Sequence, residues 1–103
     1  KFVFSDQIKQ IGKRSDILLA ISSSGKSMNI INAINVAKKM SIKTISFTGF
    51  DGGKSKKIAD LNIHVKSSNY GIVESLHHTL MNLISQFLKN KYLSSKKIKF
   101  VKF

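Results

Sequence analysis

The chain contains no cysteine and no proline, and Arg14 is the sole arginine among its 18 basic residues. Without cysteine, disulfides and thiolate metal sites are excluded, and the sequence does not reveal a redox compartment. Sites that read bases or grip phosphate with two hydrogen bonds favour arginine, so its scarcity argues against them. The chain also lacks a long apolar run and a signal-peptide pattern, and we therefore expect a soluble cytoplasmic protein that does not enter a membrane.

Lysine dominates the charge, and the chain carries a net charge of +13 with only five acidic residues. One interpretation is an anionic partner, which would be nucleic acid, an acidic protein or a phosphorylated metabolite. The other is a lysine-rich composition that spreads solvated charge over the surface. We favour the second interpretation, because no basic motif with interleaved aromatic residues indicates a nucleic-acid binder.

The spacing of apolar residues predicts alternating helices and strands along one domain of 103 residues. Helices are expected at 4–12, 28–40, 54–60 and 72–92, and strands at 16–21, 43–48 and 61–65. This alternation indicates right-handed βαβ units and an α/β fold with a parallel sheet. The short apolar run at 16–21 is typical of a strand buried on both faces. Residues 93–103 form a basic tail that could be an edge strand, a partner-binding arm or a disordered end.

The stretch SSSGKS at residues 22–27 resembles the end of a nucleotide-binding P-loop. Ala20 stands where that motif requires its first glycine, and the preceding strand continues through Ile21, where a P-loop would already turn. No apolar run ends in an aspartate suited to hold magnesium. A nucleoside triphosphatase is therefore not expected.

The serines allow a simpler phosphate site. Ser22, Ser24 and Ser27 lie between a strand end and a helix start, and their hydroxyls can donate hydrogen bonds. The first N–H groups of the helix are unpaired and carry partial positive charge, so a phosphate can bind there without metal. On the residues alone, an ordinary N-capping turn explains the serines equally well.

The run DILLAISSSGKSMNIINAI resembles the sugar-isomerase (SIS) domain, with its apolar strand, S-x-S-G-x-S turn and helix. Within that family the chain is most similar to the phosphoheptose isomerases, on further matches at Asn29, Thr48, Gly49, Asp51, Gly52, Gly53, Ala59 and Asp60. The resemblance covers about residues 3–90. It implies a three-layer, flavodoxin-like α/β fold, of which residues 1–92 would be the C-terminal portion with about three strands.

The resemblance also implies a site. Ser22, Ser23, Ser24 and Ser27 would hold a sugar phosphate, and Lys26 stands where the family usually has a neutral residue. On the last helix, Glu74 falls on a family glutamine and Asn82 on a family histidine, which makes them the candidate catalytic residues. Some members hold zinc there, and Glu74 would be the metal ligand in this chain.

The same helix raises a difficulty for catalysis. Asn82 cannot act as an acid or a base, whereas His78 lies one turn beyond Glu74. His77 falls on another histidine that is common in the family. The alternative is that Glu74 and both histidines are ordinary polar positions at a subunit interface, and for His78 we favour this alternative.

Three functions follow from these observations. The first is part of a phosphoheptose isomerase that converts sedoheptulose 7-phosphate to D-glycero-D-manno-heptose 7-phosphate for lipopolysaccharide, working as a homo-oligomer (a dimer or tetramer). The second is a non-catalytic SIS module that regulates a protein partner, which Asn82 and the basic surface favour. The third, a basic nucleic-acid binder, has the weakest support.

Overall fold

The computed structural model of the protein describes residues 2–92. Seven elements alternate along the chain, in the order α1 (Val3–Ile11), β1 (Ile17–Ile21), α2 (Met28–Lys39), β2 (Lys43–Thr48), α3 (Gly53–Ile58), β3 (Leu61–His64) and α4 (Tyr70–Tyr92). The predicted order of helices and strands is confirmed. The predicted basic tail at 93–103 lies outside the described residues.

The three strands form one parallel sheet in the order β1-β2-β3, so β2 lies at its centre. Successive side chains of a strand point to opposite faces of the sheet. On β2, the Ser46 hydroxyl donates to the carbonyl of Ser55 in α3, at 3.1 Å, whereas the Phe47 ring contacts the His77 ring of α4. Helices α3 and α4 therefore cover opposite faces, which gives the three layers that the sequence predicts.

The apolar core is centred on α2 and β2. Helix α2 buries residues at the spacing of one helical face, namely Ile31, Ala33, Ile34 and Ala37. On the other face of the sheet, Phe47 and Val73 of α4 are both fully buried. This core holds the central strand firmly and leaves the two outer strands more open.

Strand β1 differs from its prediction. We expect the apolar run at 16–21 to be buried on both faces, but Ile17 is 65% exposed and Leu19 is 37% exposed. Ile17 and Leu19 alternate with the more buried Leu18 and Ala20, so the exposed residues lie on one face of β1, and β1 lies at one edge of the described sheet. Its apolar character is that of a central strand, while its surroundings here are those of an edge.

Helix α4 also carries an uncovered apolar stripe, formed by Ile72, Leu76, Leu83 and Phe87, each more than two-fifths exposed. Its four residues recur at intervals close to the helical period, so they lie along one side of the helix. Among residues 2–92, no helix combines the length and the apolar character that crossing a bilayer requires.

Asp60 joins the beginnings of β2 and β3. Its carboxylate accepts hydrogen bonds from the Thr44 backbone N–H at 2.8 Å and from the Thr44 hydroxyl at 3.0 Å. Its own N–H donates to the Thr44 hydroxyl oxygen at 2.9 Å, and the Lys38 ammonium lies 3.4 Å from the other carboxylate oxygen. The Thr44 N–H above all, then the Thr44 hydroxyl and Lys38, hold the pKa of Asp60 below the ordinary aspartate value of 3.8.

The lowered pKa of Asp60 predicts a specific acid sensitivity. The contribution of this carboxylate to folding is fully present above pH 3.8 and is lost as the pH falls through its lower folded pKa. The Asp60→Asn variant should therefore be less stable than the parent at pH 7, and the difference should shrink under acid. Urea unfolding of both proteins from pH 7 to pH 2 measures this, and a constant difference at every pH would contradict it.

Candidate functional site

The serine turn at residues 22–27 extends the sheet beyond the end of β1. The Ser22 N–H donates to the carbonyl of Phe47 at 3.0 Å, and the Gly49 N–H donates to the carbonyl of Ser23 at 2.7 Å. These bonds hold the turn beside the carboxyl end of β2. In a parallel α/β sheet, this end is where ligands bind.

A second turn, at residues 49–53, packs directly against the serine turn. Gly25 adopts φ +70°, and a Cβ placed on it would lie 1.8 Å from the carbonyl oxygen of Gly52. The Ser55 N–H donates to the carbonyl of Gly25 at 3.0 Å. Glycine is therefore required at position 25 both by the left-handed conformation and by the approach of the other backbone.

The hydroxyl groups of Ser22 and Ser24 keep their hydrogens available to donate to a ligand. The Ser22 oxygen accepts from the Gly25 N–H at 3.1 Å, and the Ser24 oxygen accepts from the Lys26 N–H at 3.2 Å. Each hydroxyl uses only an acceptor site in these bonds and keeps its hydrogen for another partner. Ser27 stands at the N-cap of α2, yet its side chain makes no capping bond and is exposed.

The electrostatics of the turn favour an anion. The first turn of α2 carries no acidic side chain, so the partial positive charge of its N–H groups is not neutralised from within the helix. The Lys26 ammonium lies 3.2 Å from the carboxylate of Asp51. The Gly53 N–H, and then Lys26, lower the pKa of Asp51, which stays charged as a partner for Lys26. The Lys26 ammonium is therefore paired with Asp51. The serine hydroxyls and the first N–H groups of α2 remain as hydrogen-bond donors to an anion.

A cleft of about 350 Å³ lies next to the serine turn and is lined by Ile21, Ser23, Glu74, His77, His78 and Met81. It joins the end of β1 to the first half of α4. Glu74 and His78 are exposed side chains, four residues apart on one face of the helix. The predicted Ser23 and Glu74 are therefore brought to one cleft, together with a histidine that the family alignment did not mark as functional.

His77 has a structural role. Its ring is buried, its Nε2 lies 2.9 Å from the carbonyl oxygen of Thr48, and it packs on Phe47 with ring centroids 5.7 Å apart. Because a carbonyl only accepts, Nε2 carries the proton and donates it. Nδ1 is buried and has no hydrogen-bond partner among the described residues. His77 thereby fixes α4 on the end of β2, which positions its neighbours Glu74 and His78.

The spacing of residues along α4 also indicates that His77 is a buried structural residue. His77 follows the buried Val73 by four residues, which is the spacing of the buried face of α4. His64 also has a structural position: its Nδ1 lies 2.9 Å from the hydroxyl of Thr48, and it is half-buried in β3.

Asn82 is exposed and is not one of the side chains that line the cleft. A metal site is likewise not complete here, because residues 2–92 contain no group of three or more His, Asp or Glu side chains placed to hold an ion. The described part of the chain does not by itself fit zinc. Glu74 remains the ligand that it would supply.

Comparison with known proteins supports the fold first. Residues 2–49 match the model of the SIS domain family. The structure is similar to a phosphoheptose isomerase from Neisseria gonorrhoeae, with a TM-score of 0.81 and 30% identity over 84% of this chain. A phosphoheptose isomerase from Francisella tularensis gives a TM-score of 0.72 at 33% identity. The predicted SIS fold with its parallel sheet is confirmed.

Sequence comparison finds relatives that are named phosphoheptose isomerase. The chain is 37% identical over 89 residues to the phosphoheptose isomerase of Aliarcobacter butzleri, and 43% identical over 89 residues to that of Glaesserella parasuis. These matches cover 86% and 82% of this chain but only 47% and 46% of the two relatives. The predicted relationship to phosphoheptose isomerases is confirmed, and the chain spans about half the length of the curated relatives it matches.

The contact between the two turns can be tested at Gly25. In Gly25→Ala, the new methyl group would meet the Gly52 carbonyl, and the backbone would be strained at φ +70°. We expect the free energy of unfolding to fall by at least about 2 kcal/mol. Gly71→Ala is the matched control, because its methyl group would meet only the Asn69 side chain, at 3.3 Å. The free energy of unfolding of this control should change by less than about 1 kcal/mol. Equal effects in both variants would refute the steric explanation.

The anchoring role of His77 predicts a second stability effect. His77→Phe keeps a ring against Phe47 but removes the donor to the Thr48 carbonyl, which should cost about 1–3 kcal/mol in urea unfolding. His78→Ala is the control for stability, since His78 is adjacent in sequence and exposed. If both substitutions lower the unfolding free energy equally, His77 is not the anchor of α4.

Proposed function

We propose that this chain forms the phosphate-binding half of a phosphoheptose isomerase, an enzyme that converts sedoheptulose 7-phosphate to D-glycero-D-manno-heptose 7-phosphate. The observation that carries the proposal is the cleft that joins the serine turn to Glu74. The similarity to proteins named phosphoheptose isomerase supports the choice of substrate.

In this proposal the phosphate lies against the serine turn. The hydroxyls of Ser22, Ser24 and Ser27 and the first N–H groups of α2 donate to its oxygens. The dianion faces a helix start without acidic side chains, so it gains from the helix dipole without a competing carboxylate in that turn. Ser23 lines the adjoining cleft and contacts the sugar.

Glu74 is proposed to act on the sugar carbons. A ketose becomes an aldose when a base takes a proton from C1 and the proton is returned to C2. Glu74 lines the cleft together with Ser23, whereas the proposed phosphate donors Ser22, Ser24 and Ser27 are not among its lining residues. Asn82 lies outside the lining of the cleft, and its amide does not gain or lose protons near neutral pH, so no proton transfer is proposed for it.

The remaining features of the proposal concern the whole protein. The uncovered stripe of α4 and the open face beside Ile17 fit a homo-oligomer, because exposed apolar patches of this kind mark interfaces. The enzyme would work in the cytoplasm and supply heptose for lipopolysaccharide. Zinc is proposed at Glu74 with ligands from outside residues 2–92, and none of the steps described here depends on it.

The phosphate assignment is tested with the double variant Ser24→Ala/Ser27→Ala. Calorimetric titration with sedoheptulose 7-phosphate should show binding by the parent and at least a tenfold weaker affinity in the variant, since two donors to a charged ligand are lost. Ser85→Ala, an exposed serine of α4, is the control. NMR of the parent protein mixed with sedoheptulose 7-phosphate should show the aldose product.

Unchanged affinity in the double variant would refute the serine-turn assignment. Binding by the parent without any product would refute the isomerase and favour the regulatory SIS module. Absence of binding to sedoheptulose 7-phosphate would refute the proposed substrate.

A further inference from the structure

We infer that His78 is the second acid–base group of the isomerisation, in place of the histidine that the family carries at the position of Asn82. This inference rests on the proposed function. It concerns a residue that neither the family resemblance nor the comparisons assign to the site.

His78 lies where it can reach a ligand in the cleft. Its side chain lines the same cleft as Ser23 and Glu74, and it is exposed to a ligand entering that cleft. Glu74 and His78 are four residues apart in α4, so they stand next to each other on one face of the helix. The cleft therefore presents a carboxylate and an imidazole to the same volume.

Among the described residues, His77 and Asn82 are excluded as the second acid–base group. The titratable side chains that line the cleft are Glu74, His77 and His78. His77 donates its Nε2 proton to the carbonyl of Thr48, and its Nδ1 is buried, so it has no nitrogen to offer a substrate. Asn82 lies outside the lining, and its amide does not gain or lose protons near neutral pH.

The chemistry requires two groups. As Glu74 takes the proton from C1, the electrons of that bond form the C1–C2 double bond, and the C2 carbonyl oxygen must receive a proton. His78 supplies that proton and produces the enediol. His78 then takes the hydroxyl proton from O1, Glu74 returns its proton to C2, and the aldehyde forms at C1. Both side chains end in their starting protonation states, so no co-reactant is consumed. Imidazole suits this exchange because it both gives and accepts protons near neutral pH.

The test substitutes His78→Gln in the protein as the cell makes it. Glutamine keeps a polar side chain of similar length but cannot transfer a proton. We expect kcat for conversion of sedoheptulose 7-phosphate to fall by about 100-fold or more, while the dissociation constant from calorimetry changes little. Exchange of the C1 hydrogen in D2O, followed by NMR, should fall as well, because the enediol no longer forms. Gln86→Ala, an exposed position further along α4, should keep parental kcat and exchange rate.

The outcomes separate this inference from the proposed function. Parental kcat in His78→Gln would overturn the role of His78 and leave the isomerase standing. Loss of binding together with kcat would overturn it too, since His78 would then be a binding residue. A parent protein that neither binds nor isomerises the sugar would overturn the proposed function and this inference with it.

Discussion

The close contact of two backbone turns at the carboxyl end of the sheet sets the position of everything in the candidate site. Gly25 lies against Gly52 and Gly53 at a distance that no Cβ permits, and a hydrogen bond from the Ser55 N–H to the Gly25 carbonyl closes the contact. This contact fixes where α2 starts. The serine hydroxyls and the first N–H groups of the helix therefore lie in one short segment, where an anion can interact with several of them together.

A second anchor brings α4 to the same region. Val73 packs into the core, and His77 donates to the carbonyl of Thr48, the last residue of β2. Since side chains three and four residues apart share a helix face, fixing His77 also fixes Glu74 and places His78 next to the cleft. A buried histidine with one unpaired nitrogen carries an energetic cost. This cost falls where α4 contacts the end of the central strand, at the Thr48 carbonyl.

The central strand β2 makes buried contacts on both of its faces. One face of β2 presents Phe47 to α4, and the other presents hydroxyl side chains that are fully buried, namely Thr44, Ser46 and Thr48. Each buried hydroxyl has a partner: Asp60 for Thr44, the Ser55 carbonyl for Ser46 and His64 for Thr48. Satisfied polar groups of this kind specify which strand and helix lie beside β2. The apolar surfaces of β1 and α4 have no comparable cover among the described residues.

The sequence by itself determined the order of the elements, because the periods of helices and strands are local properties. It predicted β2 at 43–48 without error, and it predicted the serine turn as a site through a motif of consecutive residues. Helix α4 begins at Tyr70, earlier than predicted, because the Asn69 carboxamide accepts the Ile72 N–H at 3.1 Å and caps it. Only the tertiary structure decided that β1 is an edge, that His77 donates to the Thr48 carbonyl and that His78 lines the cleft. These outcomes depend on which distant segments pack together, and periodicity along one segment does not contain that information.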